Sequence, residues 1–193
     1  GLVGSEMCIR DRLYDGVMNT SGGDKIASVK FWAKENSKLA KENGIENVLI
    51  MIDSEGDLAD ENRNRRNQSI DNHKLWVDAA NESGCKSIRV NLHGTNNKDK
   101  WKEYSMESLT ELASYAKSLN INVIVENHGQ LSSNIPVLME VINSVNMKNC
   151  GTLPDFGNFC MVSGYGNIFG GECPEIYDLY KGCLLYTSDA ADE

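Results

Sequence analysis

The alternation of short β-branched runs with longer helical stretches constrains the fold of this chain most strongly. Continuous apolar runs are typical of parallel strands that are covered on both faces. The predicted strands are Val48–Ile52, Ser87–Asn91, Asn122–Glu126 and Gly151–Phe156. Apolar residues at helical spacing predict helices over Ile26–Asn43, Arg65–Ser83, Ser105–Leu119, Ser133–Val145 and Glu175–Tyr180. Strict alternation of this kind predicts right-handed crossovers and a parallel sheet.

The helix ends are predicted from residues that are typical of helix caps. Gly44 and Gly84 stand where a left-handed residue ends a helix. Ser105 is the predicted N-cap of the third helix, because serine accepts a hydrogen bond from a free backbone N–H there. Leu39 is one of the apolar residues at helical spacing in the first helix, and Leu75 is expected on the inward face of the second.

Polar residues end every predicted strand, which favours a closed barrel over an open sheet. They are Asp53, Asn91, Glu126 with Asn127, and Asp155. Active sites of (β/α)8 barrels lie at the C-terminal ends of the strands. An open doubly wound sheet would instead need a glycine-rich phosphate turn after its first strand, and that turn reads DSEGDLAD. We therefore predict an α/β fold with part of a (β/α)8 barrel.

Two flanks of the chain resemble translated sequencing-adapter sequence. They are residues 1–12 (GLVGSEMCIRDR) and 183–193 (CLLYTSDAADE), and they leave residues 13–182 as the predicted barrel segment. Segments of such origin are excluded from fold reasoning. A natural tail is the alternative origin for each flank.

The composition of the chain disfavours several classes of protein. A formal charge of −9 disfavours nucleic-acid binding, and six cysteines without a CxxC pair fit a reduced, cytoplasmic compartment. The sequence holds no run of 18 apolar residues, so no membrane span is predicted.

Two carboxylates carry the strongest chemical signal. Glu126 ends the apolar strand in VENHG, and Asp155 ends the next strand in LPDFGNF. Burying a carboxylate is costly unless it meets a cation or a proton donor, and hard divalent ions take oxygen ligands of this type. The pair therefore predicts a metal site in which Glu126 also serves as acid and base. The alternatives are a carboxylate paired with lysine or a backbone amide for Glu126, and a loop N-cap for Asp155.

The strand SIRVNLHG adds Arg89 and Asn91, which lie on the same side of the strand because they are two residues apart. Arg89 is interpreted either as a group that orients a substrate oxygen or as the partner of the carboxylate on the next strand. His128 is a candidate for holding a substrate hydroxyl. His93 is a weaker candidate, and His73, inside a helix, is interpreted as a packing residue.

Four segments in order resemble the sugar phosphate isomerase/epimerase family with the xylose isomerase-like barrel: RNQSIDNHKLWVDAA, CKSIRVNLHG, INVIVENHG and NCGTLPDFGNF. The resemblance implies that the chain holds roughly strands 3 to 6 of the barrel with their helices. It also implies one divalent ion (Mn, Mg, Co or Zn) held by Glu, Asp, His and Glu. Glu126 and Asp155 match the first two ligands, and the other two would lie beyond Gly182.

The resemblance further implies proton transfer on a small sugar through an enediolate, either between carbons or between faces of one carbon. Glu126 would be the catalytic residue, and Arg89, Asn91, His128 and Asn158 would contact substrate. The glycine-rich stretch 163–172 is interpreted as a mobile flap or as an ordinary loop. The full-length parent is expected to be an enzyme of carbohydrate metabolism whose oligomeric state the sequence leaves open. This chain by itself is expected to be inactive and, with two apolar sheet edges, to aggregate.

Two other functions stay open. A type IV apurinic endonuclease on the same barrel would carry histidine three residues after the aspartate, where this chain has Asn158. A noncatalytic barrel that binds sugar without turnover is the second, because two expected ligands lie outside the chain.

Overall fold

The computed structural model describes residues 24–155 and residue 158. Helices and strands alternate along this part of the chain, and a short 3-10 helix follows the third strand. The order is α1 (Lys25–Asn43), β1 (Leu49–Met51), α2 (Arg63–Ser83), β2 (Ser87–Val90), α3 (Lys98–Lys117), β3 (Asn122–Glu126), the 3-10 helix (Gln130–Ser133), α4 (Ile135–Val145) and β4 (Cys150–Leu153).

The four strands form one parallel sheet in the sequential order β1-β2-β3-β4. Each neighbouring pair is separated in sequence by one helix, as the alternation predicts. The predicted parallel sheet with intervening helices is thus confirmed. The predicted helix 175–180 and the glycine-rich stretch 163–172 lie outside the described residues.

The main apolar core lies between the sheet and the helices. Every second strand residue faces the helices and is buried, as Ile50, Ile88 and Val123 illustrate. The alternate residues, such as Met51 and Ile124, lie on the opposite face of the sheet and are only half-buried. The sheet therefore has an apolar outer face under helices and an inner face that also accommodates polar groups.

The sequence prediction for the start of the third helix is wrong. The third helix begins at Lys98 with Asn97 as its N-cap, so Ser105 is an interior, fully buried residue of α3 and not a cap. Trp101 explains the early start, because its ring is fully buried and its Nε1 donates to the Leu92 carbonyl at 2.9 Å. Leu39, although apolar and at helical spacing, is 53% exposed.

The other boundaries fall within a few residues of the prediction. Gly44 and Gly84 both adopt left-handed backbone angles, and each ends its helix as expected. Leu75 is half-buried and packs against the core. In the part of the chain that the structure covers, no helix has the length and apolar character needed to cross a bilayer.

Candidate active site

The strand register brings the polar strand ends to one level of the sheet. Arg89 pairs with Met51 on one side and with Ile124 on the other. Side chains two residues apart in a strand point to the same face, so Asp53, Asn91 and Glu126 follow on the inner face, one step beyond these partners. The C-terminal edge of the sheet therefore gathers two carboxylates, an amide and a guanidinium.

Arg89 is the centre of this group and is fully buried. Its Nε lies 2.7 Å from Glu126 Oε2, and its Nη1 lies 2.5 Å from Asp53 Oδ1. Nη1 also donates to the Ile52 carbonyl at 3.0 Å. The contact with Glu126 is an ion pair. Arg89 thus compensates a carboxylate that is almost entirely removed from water.

Of the two roles considered for Arg89, the structure shows the pairing with Glu126. The Glu126 side chain is 3% exposed, whereas that of Asp53 is 28% exposed. Water can therefore solvate Asp53 but not Glu126. The guanidinium is the cation that makes burial of a carboxylate at the end of β3 physically acceptable.

Asn91 is buried beside the same arginine. Its Nδ2 donates to Asp53 Oδ1 at 3.2 Å. Within residues 24–155 and 158, Asn91 Oδ1 and Arg89 Nη2 are among the buried polar atoms that have no hydrogen-bond partner. Buried polar groups are rarely left in this state, so the two atoms need an explanation.

Asp155 is fastened to the end of β3 through its backbone. Its N–H donates to Asn127 Oδ1 at 2.6 Å, and its carbonyl accepts from Asn127 Nδ2 at 3.0 Å. The Asn158 N–H donates to the same carbonyl at 3.3 Å. Because Glu126 pairs in register with Leu153, Asp155 follows two residues beyond, next to the level of Glu126. The Asn127 amide thus fixes the spacing between the two acidic strand ends.

His128 and His93 follow the C-terminal ends of β3 and β2 and contact each other. The His128 N–H donates to the Glu126 carbonyl at 2.9 Å, which turns the chain sharply after β3. The two imidazole rings are stacked with centroids 5.8 Å apart and an interplanar angle of 19°. His93 Nε2 also lies 3.3 Å from the His128 carbonyl oxygen. Both histidines therefore lie just beyond the C-terminal edge of the sheet, which we call the mouth of the site, and both are half-buried.

Two acidic residues near the mouth have contacts that the sequence did not reveal. Asp53 was noted only as a strand end, although it contacts both Arg89 and Asn91. Glu55 was not singled out. It is 3% exposed, pairs with Lys25 at the start of α1 and accepts from Trp76 Nε1 at 2.6 Å. A polar residue directly after a buried strand was the available signal for Asp53; none pointed to Glu55.

His73 lies in α2 and is 2% exposed, with its Nδ1 2.7 Å from the Ser69 carbonyl oxygen. Burial is the main reason that the pKa of this imidazole is lowered. A buried, neutral imidazole that contacts its own helix is a packing residue, as the sequence indicated.

The family resemblance implies a divalent ion near Glu126 and Asp155. Glu126 and Asp155 supply oxygen donors of the type that hard divalent ions bind. Among residues 24–155 and 158, no group of three or more histidine, cysteine, aspartate or glutamate side chains is arranged to hold a metal. Glu126 and Asp155 therefore match a hard divalent ion in the type of their donor atoms alone.

Solved structures similar to this chain share the fold at low sequence identity. A putative sugar phosphate isomerase/epimerase from Anabaena variabilis has a TM-score of 0.64 at 15% identity, with 86% of this chain and 56% of that chain covered. The 3-keto-D-glucoside 4-epimerase from E. coli has a TM-score of 0.59 at 14% identity, with 82% and 76% covered. A xylose isomerase-like TIM barrel protein from Mycobacterium smegmatis, solved with magnesium, has a TM-score of 0.59 at 14% identity, with 77% and 51% covered.

The chain spans between about half and three quarters of the length of these three proteins. A search of the curated proteins finds no match. The sequence pattern of one family, described as the xylose isomerase-like TIM barrel, matches residues 13–182. That match covers most of the sequence and agrees with the parallel sheet, so this chain belongs to the xylose isomerase-like TIM barrel family.

Proposed function

We propose that this chain carries part of the active site of a divalent-metal-dependent sugar isomerase or epimerase. Glu126 and Asp155 are the metal ligands in this proposal, and Glu126 is also the acid/base group. One observation supports it most: a nearly fully buried carboxylate ends β3, and a second acidic strand end is tied to it through Asn127. Structural neighbours that are themselves sugar epimerases agree with this choice of reaction.

A bound divalent ion would supply Lewis acidity that favours loss of a proton next to a sugar carbonyl. The remaining chemistry belongs to the protein. Glu126, together with a partner Glu from outside residues 13–182, would move the proton through an enediolate. Its return to the neighbouring carbon gives isomerisation, and its delivery to the other face by the partner gives epimerisation. Arg89 holds one carboxylate oxygen of Glu126 in place through the 2.7 Å ion pair. Partners of this kind orient a ligating carboxylate.

The stacked histidines and Asn158 complete the proposed substrate surface. His128 follows Glu126 by two residues and lies at the mouth, where a sugar hydroxyl can accept from or donate to its ring. Asn158 lies beside Asp155 through a backbone hydrogen bond of 3.3 Å. The substrate in this proposal is a small sugar, and the remaining His and Glu ligands come from outside residues 13–182. Residues 1–12 and 183–193 are proposed to be adapter-derived.

Manganese binding tests the metal part of the proposal directly on this chain. We expect weak, saturable Mn²⁺ binding, followed by electron paramagnetic resonance of the free ion. Glu126→Gln and Asp155→Asn should each weaken the affinity about tenfold or more, because each removes one charged ligand from an incomplete set. Glu103→Gln and Asp99→Asn are matched controls on the exposed surface of α3, and they should leave the affinity within twofold. Equal affinity of all four variants would show that these two carboxylates do not bind the ion.

Turnover is the second test. The isolated chain is expected to convert no ketose in the presence of Mn²⁺, because two ligands form an open and poorly ordered site. Measurable epimerisation or isomerisation by residues 1–193 would contradict the assignment of the missing ligands to other parts of the parent protein.

A further inference from the structure

We infer that Asp53 is a positioning residue that turns Asn91 and Arg89 into a subsite for one substrate hydroxyl. This inference rests on the proposed sugar chemistry and deepens it. It assigns a role to a residue outside the predicted metal ligands, and it names the functional group that the inner face recognises.

One oxygen atom of Asp53 lies close to a donor of Arg89 and to a donor of Asn91. Asp53 Oδ1 lies 2.5 Å from Arg89 Nη1 and 3.2 Å from Asn91 Nδ2. Both donors are therefore held against the same point at the end of β1. The Asp53 side chain is 28% exposed, whereas Arg89 is fully buried.

The orientation of the Asn91 amide depends on the same oxygen atom. An amide can present either its NH2 group or its carbonyl oxygen, and the neighbouring groups select one of the two. A carboxylate attracts the NH2 group and repels the carbonyl oxygen. Asp53 therefore fixes Nδ2 towards itself and leaves Asn91 Oδ1 as a buried acceptor without a partner.

Arg89 provides the matching donor. Arg89 uses Nη1 for Asp53 and directs Nε at Glu126, which leaves Nη2 as a buried donor without a hydrogen bond. The donor thus belongs to Arg89 in β2, and the acceptor belongs to Asn91, the residue directly after that strand. Leaving such atoms unmatched is costly, and a bound group that serves both would remove the cost.

Because Asn91 Oδ1 accepts a hydrogen bond and Arg89 Nη2 donates one, a matching ligand group must both donate and accept. An anion would suit Arg89 Nη2 but would be repelled by Asn91 Oδ1, and an ammonium group would have the reverse preference. A hydroxyl group both accepts and donates, so it satisfies both atoms. Sugars carry hydroxyls on adjacent carbons. Glu126, the proposed acid/base group, forms a 2.7 Å ion pair with the same arginine. The subsite therefore recognises a hydroxyl close to the reacting carbon.

The test uses the full chain, with D-fructose as the hydroxyl probe and Mn²⁺ as the metal probe. Binding of D-fructose is followed by NMR through the side-chain NH2 signals of Asn91. We expect Asp53→Asn to weaken D-fructose binding about tenfold or more while it leaves Mn²⁺ affinity within twofold, because the aspartate is not a metal ligand. Asp53→Glu should recover part of the D-fructose affinity. Asp57→Asn, in the same exposed loop, is the matched control and should behave like the unaltered chain.

The two proposals fail in different ways. Unchanged D-fructose affinity in Asp53→Asn, or no D-fructose binding by the unaltered chain, overturns the hydroxyl subsite even if Mn²⁺ binding follows Glu126 and Asp155. Loss of the metal assignment with an intact effect of Asp53 on D-fructose overturns only the proposed function.

A measurement on the unaltered chain covers the case of a variant that does not fold. The Asn91 side-chain NH2 protons should exchange with solvent at least tenfold more slowly than those of Asn120, which is exposed. Equal exchange rates would show that Asp53 does not hold the amide.

Discussion

Removing Arg89 should destabilise this protein mainly by leaving Glu126 buried without its cation. Arg89→Met keeps much of the side-chain volume and deletes the charge. Three contacts disappear: the ion pair with Glu126, the ion pair with Asp53 and the bond to the Ile52 carbonyl. Asp53 can turn to water, because 28% of its side chain is exposed, whereas only 3% of the Glu126 side chain is. The cost is therefore set by Glu126.

The magnitude follows from breaking one side of a buried pair, which costs about 3–5 kcal/mol. Glu126→Gln should cost less, about 1–3 kcal/mol, because Arg89 keeps Asp53 and the Ile52 carbonyl. The double variant has neither charge of this ion pair. The two losses should therefore fall short of additivity by roughly 1–3 kcal/mol. A loss of this size is a large share of the stability of a typical domain.

Urea unfolding followed by tryptophan fluorescence measures these free energies, since Trp76 and Trp101 are buried. Arg63→Met is the matched control: the Arg63 side chain is 76% exposed and lies 3.9 Å from Glu107, so its loss should change stability by less than about 0.5 kcal/mol. The reasoning is refuted if Arg89→Met costs no more than this control. It is equally refuted if Arg89→Met costs as much in the Glu126→Gln background as in the unaltered chain.

Three further outcomes are expected. The pKa of His73 is lowered by burial, so below the unfolded pKa of about 6.5 only the unfolded chain takes up this proton. Stability should therefore fall with falling pH by up to about 1.4 kcal/mol per unit more than in His73→Gln, and parallel urea midpoints for the two proteins from pH 7 to 5 would refute this. Burial raises the pKa of the Cys85 thiol to about 11 and that of Cys150 to about 12, so neither should react with iodoacetamide at pH 8 until urea unfolds the chain, as mass spectrometry of the peptides would show. Gly94→Ala should unfold at much lower urea than Gly84→Ala, because an added Cβ at Gly94 meets backbone at 2.1 Å whereas none lies within 4 Å at Gly84; equal midpoints would contradict this.

The sequence predicted the strands of this fold better than its helices. Each buried strand is a short apolar run with a polar residue just after it, and this signal is local. The start of α3 was misplaced because the segment KDKWKEYS holds one large apolar residue, Trp101, among charges. Its helical state depends on burial of that ring against Leu92, which local periodicity does not reveal.

The candidate site was predicted in part for a similar reason. Glu126 and Asp155 were recognisable as acidic ends of apolar strands. The contact of Arg89 with Asp53 joins residues 36 positions apart, and it depends on the register of β1 against β2. The register of β1 against β2 is fixed by packing across the whole sheet, so it cannot be predicted from the sequence of either strand alone. The burial of Glu55 against Trp76 is equally nonlocal.

The in-register alignment of Met51, Arg89 and Ile124 also restricts how relatives of this chain can change length. Adding or deleting one residue within β3 would exchange its two faces and turn Glu126 towards the helices, into an oily layer without a cation. The same change outside the strands and the residues that directly follow them would leave the alignment intact. Length variation among functional relatives should therefore concentrate after the strand ends, while the distance from Asn122 to Glu126 stays constant.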